Sequence, residues 1–536
     1  MDATRPEVLD PAAITTRSPF ARRLFAEGLT RLYSHSDPVE AARLFESALR
    51  EDSSCAMCAY AAARAESRVD MGAARRLLLA AVRHSVDASG PERLVIRQWW
   101  AAMSNAPGQL ALAESLAHRY PDDPESVLAL AAALQLDGRF LDAVPYYVRV
   151  LQDVPPGAGR TCPRCEAHEA LVHTYWGADS IDAAVRVARD WTRDDPESVP
   201  AWMAFAWALA LADRYDDAVA ATDAVPQTDG HPATNGGLLQ RAMLALRADR
   251  YDTADAVLQL VQRTGTPGER ESALWWRAIA LRYLGRPGDA LQLVQGPLRW
   301  AGEHGTAKSS YPNALLEGQI LLELGRAHDA AQLFRALSSR HEPDDSTMPG
   351  LVARRRSWAL THAGTALAAL GDTVSLAALV DTVEIEGQQS ALARDHHLHH
   401  YLRGLLWIAR RQPDSARVTL GRATQSRTHG FTRAGVEEAR QLLAAGRATD
   451  AISMLRLALR GEMDASNLYV SRPEMHELLA RAYDASEARD SAIAHFDIVV
   501  RAWADGDGAH RTRAASARAR MATLRTHTAA AGTPER

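Results

Sequence analysis

Lysine is almost absent from this sequence. Lys308 is the only one in 536 residues, so arginine carries nearly all the positive charge. Such a bias fits codon usage in a GC-rich bacterial genome better than a phosphate-reading surface. The formal net charge of −5 is too small to draw the chain to nucleic acid or to an anionic membrane. Cysteine is scarce too, and four in so long a chain cannot build a disulfide framework. No stretch approaches the roughly 20 consecutive apolar residues of a membrane span. The first twenty residues lack a basic segment followed by an apolar one, so no secretory signal is expected and the expected location is the cytoplasm. Runs of β-branched residues are scarce as well, so intrinsic propensity does not favour strands.

What is abundant is alanine and leucine, so intrinsic preference leans to helix throughout. Hydrophobic residues make up 47 % and charged residues 24 %, the balance of an ordinary folded chain. A six-residue phrase recurs along it. It reads Gly-Arg-Phe-Leu-Asp-Ala at 138–143, Gly-Arg-Pro-Gly-Asp-Ala at 285–290, Gly-Arg-Ala-His-Asp-Ala at 325–330 and Gly-Arg-Ala-Thr-Asp-Ala at 446–451. Looser copies run from Asp213 to Ala218 and from Asp249 to Ala254. Bulky or apolar residues follow the alanine at +4 and +7, as in Ala41, Phe45, Ala48 and in Ala330, Phe334, Leu337.

These offsets place three side chains on one helical stripe. The glycine ends the preceding helix in the left-handed conformation. The aspartate meets the free N–H groups and positive dipole end of the next helix. The phrase therefore predicts a helix hairpin, with the alanine at the close approach of its two helices. Taken as a ruler, that alanine falls at Ala41, Ala74, Ala143, Ala184, Ala218, Ala254, Ala290, Ala330, Ala416, Ala451 and Ala492, with weaker marks near Ala111 and Leu376. Most steps are close to a period of roughly 34 residues.

With large-then-small pairs such as Trp202 and Ala206, and with punctuation such as Tyr120-Pro-Asp-Asp-Pro124, the sequence resembles the tetratricopeptide repeat family over about residues 20–505. The segments at 480–483, 489–496 and 500–503 are similar to arrays appended to bacterial serine/threonine kinases and transcriptional activators. No kinase-like glycine-rich loop or His-Arg-Asp signature accompanies them. The resemblance implies an all-α fold, a right-handed α-solenoid of about thirteen hairpins closed by a capping helix near 511–525. The expected layout is a flexible segment over 1–19, a solenoid over 20–339, a loop or hinge at 340–350, a second solenoid over 351–505, and a cap with a disordered tail over 506–536. Shorter breaks are expected at 155–161 and 227–237.

The family's first helices line a concave face, at offsets of about −18, −15, −11 and −8 from the ruler alanine. Those offsets select Trp176, Met203, Trp207, Leu239, Met243, Trp275, Ile279, Tyr401 and Leu405. An apolar wall of this kind fits a peptide or amphipathic helix. Alternatively, the superhelix winds tightly and buries the wall against itself or a second copy. The set of residues that clamps a terminal carboxylate in chaperone-binding relatives is not apparent, and Lys308 falls in a loop.

Two Cys-x-x-Cys pairs invite a metal or redox reading. Cys55 and Cys165 each precede a ruler alanine by 19 residues, in units three repeats apart. A straight stack at about 10 Å per unit would separate the pairs by roughly 30 Å. Cys55 and Cys58 read as buried small hydrophobes on one helical face. Cys162, Cys165, His168 and His173 offer zinc a donor set, or the cysteines a redox-sensitive pair, or nothing beyond structure. The run His396-His397-Leu398-His399-His400 places two histidines at i, i+4, yet it lacks a metalloprotease glutamate and reads as a solvated helix face.

The expected function is a non-catalytic scaffold for a protein or peptide, with no cofactor required and with self-association possible. A regulatory sensor acting on a kinase or transcription factor in trans is one alternative. A metal-dependent protein using the 162–173 loop is the other.

Overall fold

The computed structural model describes residues 14–155, 161–225, 234–300, 310–341, 348–424, 426, 428–463 and 468–531. The expected loops at 155–161, 227–237 and 340–350 fall partly outside those residues, and Lys308 wholly so. The chain is an all-α solenoid, and its helices group into two compact units. The first unit takes residues up to Pro232 together with 342–354 and 389–393, and the second takes the rest.

In the first unit, α1 to α6 run Pro19–Tyr33, Pro38–Glu51, Ala56–Glu66, Met71–His84, Gly90–Met103 and Gln109–Arg119. Helices α7 to α12 follow at Pro124–Leu136, Phe140–Asp153, Pro163–Gly177, Ile181–Asp194, Val199–Leu211 and Tyr215–Asp223. Beyond them, α13 to α18 are Thr234–Arg247, Tyr251–Thr264, Pro267–Tyr283, Pro287–Leu293, Ser310–Glu323 and Ala327–Ser338. Helices α19 to α23 are Pro349–Leu370, Thr373–Gln388, Leu398–Ala409, Pro413–Ala423 and Thr432–Ala444. The last four, α24 to α27, are Ala448–Ala458, Arg472–Ala485, Arg489–Ala502 and Gly508–Ala531. Outside α19 and α20, each odd helix pairs with the even helix after it, and α27 packs on α26 as the expected cap.

The recurring phrase has a physical account in every part. Among the described residues, twelve of the thirteen with positive φ stand five before a buried residue of the even helix, among them Ser36, Gly138, Asp179, Asp213, Asp249 and Glu487. The arginine after each glycine donates Nε to the phrase's aspartate at 2.7–2.8 Å, as in Arg139–Asp142, Arg286–Asp289 and Arg447–Asp450. These pairs are solvent-exposed and screened, so each contributes little to stability. The ruler alanines are fully buried. One mark needs correction: Ala111 is exposed, and Ala113 is the buried alanine, five after the left-handed Gly108. The turn before it carries a second left-handed residue, Asn105, and the longer turn displaces the register by two.

The bulky residue at +4 lies over a small one in the odd helix. A Cβ on Gly28 would sit 2.5 Å from the Phe45 ring, one on Gly318 2.3 Å from Phe334, and one on Gly404 2.6 Å from Leu420. Burying a phenylalanine in this way stabilises each hairpin by roughly 1.5–3 kcal/mol.

The stretch before α1 departs from expectation where it is described. Ile14 is buried, Thr15 donates its N–H and Oγ1 to Glu92 at 2.8 and 2.5 Å, and Thr16 Oγ1 donates to Asp52 at 2.7 Å. Residues 14–18 are therefore tied down rather than flexible, because two carboxylates accept their polar groups.

Candidate functional site

In the first unit the odd helices from α1 to α11 pack in a row, each on the next. The turn of that row brings α9 onto α1 and α3. Arg64 Nη2 lies 2.9 Å from Glu166 Oε1, and Tyr33 Oη donates to the same oxygen at 2.7 Å. This contact corrects the straight-stack estimate. Units three repeats apart touch, and both cysteine pairs pack against one hydrophobic cluster. Each added hairpin rotates the stack as well as lengthening it, which the estimate ignored.

The same turn encloses a cavity of about 290 Å³. Its chemistry comes from Arg64, Trp99, Gln98, Gln109, Gln135 and Glu166, with Tyr60, Glu125, Leu128 and Ala132 among the remaining lining. The Arg64 guanidinium lies over Trp99, 5.2 Å from the ring centroid, and Tyr60 meets Trp99 edge-on at 5.1 Å. Burial opposes the arginine's charge, but Glu166 and Tyr33 outweigh it and hold Arg64 protonated well above its ordinary range. Burial also pushes the Tyr33 hydroxyl upward, so it remains a neutral donor. Tyr147 Oη donates to Gln135 Oε1 at 3.0 Å. Gln109 is 4 % exposed, and neither its amide oxygen nor its amide nitrogen has a hydrogen-bond partner.

The wall is built at the family's inward offsets, by polar as well as apolar residues. Counted from the corrected mark Ala113, offsets −18, −15 and −11 give Val95, Gln98 and Ala102, which all line the cavity. Counted from Ala143, the four offsets give Glu125, Leu128, Ala132 and Gln135, which line it as well. Three of these seven positions, Gln98, Glu125 and Gln135, are polar, and none of the seven is among the nine apolar positions expected from sequence.

The nine apolar positions divide between the two units. In the first, Trp176 is buried, Met203 and Trp207 are half-buried, and the two indoles meet edge-on at 5.4 Å. In the second, Leu239, Met243 and Trp275 are half-buried, whereas Ile279, Tyr401 and Leu405 are core. Those last three are therefore packing residues rather than open wall.

The second unit's interior is filled by its own side chains. Trp358, His362, Phe431 and Tyr469 stack and cross with centroids 4.1–5.8 Å apart, and Tyr401 meets Phe431 at 5.0 Å. Burial, aided by the Arg433 charge, pushes His362 well below its ordinary pKa. Arg282 has no exposed side-chain surface and grips Glu323 at 2.6–3.0 Å. Near the unit's two ends, Arg472 binds Asp249, and the Asp507 N–H donates to the Gly285 carbonyl at 2.8 Å.

The cysteine and histidine expectations resolve into separate places. Cys55 is the N-cap of α3 rather than a residue within it, and its sulfur accepts from the Cys58 N–H at 3.2 Å. Both are fully buried and are joined to each other, as Cys162 is to Cys165. His168 stacks on Trp191 at 5.3 Å, while His173 turns to Trp207 at 4.7 Å. The five-residue step sends the two rings to different neighbours, so the four donors do not converge. Burial, with the Arg164 charge, lowers His168 to about 4. Among the described residues, no group of three or more His, Cys, Asp or Glu side chains is arranged to hold a metal.

The 396–400 run is not one solvated helical face. Residues Ala393–His397 form a 3₁₀ turn, α21 begins at Leu398, and His399 is buried beside Glu384 at 3.8 Å. The change of helix type breaks the i, i+4 relation between His396 and His400.

Residues 169–232 match the tetratricopeptide repeat family. No curated protein matches the chain. Among solved structures the chain is similar to the Cut9–Hcn1 hetero-tetramer of the APC/C, at 14 % identity over 95 % of this chain and 88 % of that one, with a TM-score of 0.40. It is similar to yeast Tom70 at 12 % identity over 88 % and 96 %, with a TM-score of 0.34. The human IFIT1 dimer with PPP-AAAA is similar at 13 % identity over 74 % and 87 %, with a TM-score of 0.33. Scores this low indicate nothing about partners. No described helix is long and apolar enough to cross a membrane.

Proposed function

Because the chain is built of tetratricopeptide-type repeats, we propose that it is a non-catalytic scaffold that binds a protein or peptide through the inner face of its first unit. One observation carries this reading. The first unit keeps a cavity of about 290 Å³ on its inner row, walled by side chains at the offsets that face inward, whereas the second unit's cavity of about 350 Å³ is lined mainly from its even helices, by residues such as Arg417, Gly421, Asp450 and Met454. Trp99 and Trp207 supply rigid, partly exposed aromatic surface of the kind that anchors a bound segment. The pair of Arg64 and Glu166 adds polar contacts that fix orientation.

A random-peptide display selection on the full-length protein tests the assignment. Selected peptides should lose at least tenfold in affinity for Trp99→Ala and retain it for Val374→Ala, a change at an 81 % exposed position of the second unit. Peptides indifferent to Trp99→Ala, with circular dichroism unchanged, would remove the first unit's inner face from consideration.

A further inference from the structure

We propose that Cys162 and Cys165, at the start of α9, form a thiol–disulfide exchange site that takes electrons from a dithiol and passes them to a disulfide. This goes beyond the scaffold reading and does not depend on it.

The molecule holds two Cys-x-x-Cys pairs at equivalent places. Cys55 is the N-cap of α3, and Cys162 is the N-cap of α9. Each pair is joined across three residues, with Cα atoms 5.3 Å apart, and both pack on one hydrophobic cluster. Access separates them. Cys55 and Cys58 are 0 % exposed, whereas Cys162 and Cys165 are only half-buried. Exchange requires a thiolate to reach a sulfur, so burial shields the first pair and leaves the second open to attack.

The helix ends differ too. The Cys55 sulfur already accepts the Cys58 N–H at 3.2 Å, which caps α3. The Cys162 side chain makes no capping bond to α9. Once the pair is reduced, charge on the Cys162 sulfur meets the first-turn N–H groups and the positive dipole end of a 15-residue helix. Arg164, two residues on, adds positive charge, its guanidinium held by the Leu151 and Val154 carbonyls. Glu166 does not cancel this field, because Arg64 pairs with it at 2.9 Å. Both thiols stay on the first turn of α9, so the bond can form again.

The exchange balances between its two reactants. A thiolate of the dithiol attacks Cys162 Sγ, the Cys162–Cys165 bond breaks, and Cys165 leaves and takes a proton from water. The dithiol's second sulfur gives its proton to water, attacks the first and releases Cys162 as a thiolate. Two electrons have passed: the dithiol has become a cyclic disulfide, and the protein pair is reduced. In the other direction the Cys162 thiolate attacks a disulfide and Cys165 resolves the mixed intermediate.

The test uses full-length protein and dithiothreitol as the dithiol. After brief native reduction and alkylation with iodoacetamide, peptide mass spectrometry should find Cys162 and Cys165 labelled at least tenfold more than Cys55 and Cys58. Reduction in denaturant should label all four alike. Equal native labelling of the four, or none at Cys162 and Cys165, would overturn the site, and this measurement needs no variant to fold. Cys165→Ser and Cys162→Ser then each leave one of the two sulfurs free. At pH 6, Cys162 should release thionitrobenzoate from dithiobis-nitrobenzoate at least tenfold faster than Cys165 does, with circular dichroism unchanged in both variants. A disulfide that is merely exposed would give comparable rates, and that result would also overturn the proposal.

Discussion

Asp249 accepts a hydrogen bond from Arg472 at 2.9 Å across 223 residues of chain, and it does so from a left-handed turn normally given to glycine. Tyr251 donates to the same carboxylate at 2.6 Å, and His476 Nε2 lies 3.1 Å away. Burial would raise this carboxyl, but Arg472 and His476 overcome it and hold the group well below the usual carboxylate range. The departure from glycine at this one turn is therefore a tertiary contact.

The same substitution should have opposite signs at two turns. Asp249→Gly relieves the left-handed strain but leaves Arg472 buried without its partner, and should destabilise by about 2–4 kcal/mol. Glu487→Gly acts at φ +61 on an exposed side chain and should stabilise by roughly 0.5–1 kcal/mol. Urea unfolding of the two variants beside the parent decides this. Equal signs would mean that the Asp249 contact contributes nothing.

Gly318→Ala should destabilise by about 1–3 kcal/mol, since the new methyl would lie 2.3 Å from the fully buried Phe334 ring. Combined with Phe334→Leu the loss should be less than the sum of the two single losses, which a double-mutant cycle measures.

Stability should fall on acidification before the carboxylates titrate. His168 is buried on Trp191 and its pKa is lowered from 6.5 to about 4, so the unfolded chain binds more protons between those values. The contribution is complete above pH 6.5, declines as pH drops toward 4, and amounts to at most about 3 kcal/mol. His168→Phe keeps the stacked ring and cannot titrate. Its unfolding midpoint should change less between pH 7 and pH 4.5 than the parent's, and an identical pH slope would refute the assignment.

Gln109→Leu should raise stability by about 1 kcal/mol, because it removes an unpartnered buried amide and keeps nearly the same volume. A loss of more than 1 kcal/mol in thermal or urea unfolding would show that the amide has a structural partner after all.

How much of this was legible beforehand depended on the range of the interaction. Helix type, hairpin pairing, the left-handed turns and the capping helix all follow from contacts within about forty residues, and the recurring phrase states them directly. The positions Glu125, Leu128, Ala132 and Gln135 share the family's offsets from Ala143 but were not among the residues selected, because two of the four are polar. The metal-like grouping of Cys162, Cys165, His168 and His173 was not a site, because neighbours in sequence diverge when a helix turns them to Trp191 and Trp207.

What only the tertiary structure decided was the winding. A helix hairpin repeats one local geometry, and its sequence records that geometry faithfully. The small rotation between successive hairpins is set by the summed packing of many side chains, and no single position encodes it. That rotation brings Glu166 onto Arg64, opens a cavity in the first unit and fills the second unit's interior. It turns Ile279 and Tyr401 from expected wall into core, and it leaves Gln109 buried with an amide to satisfy.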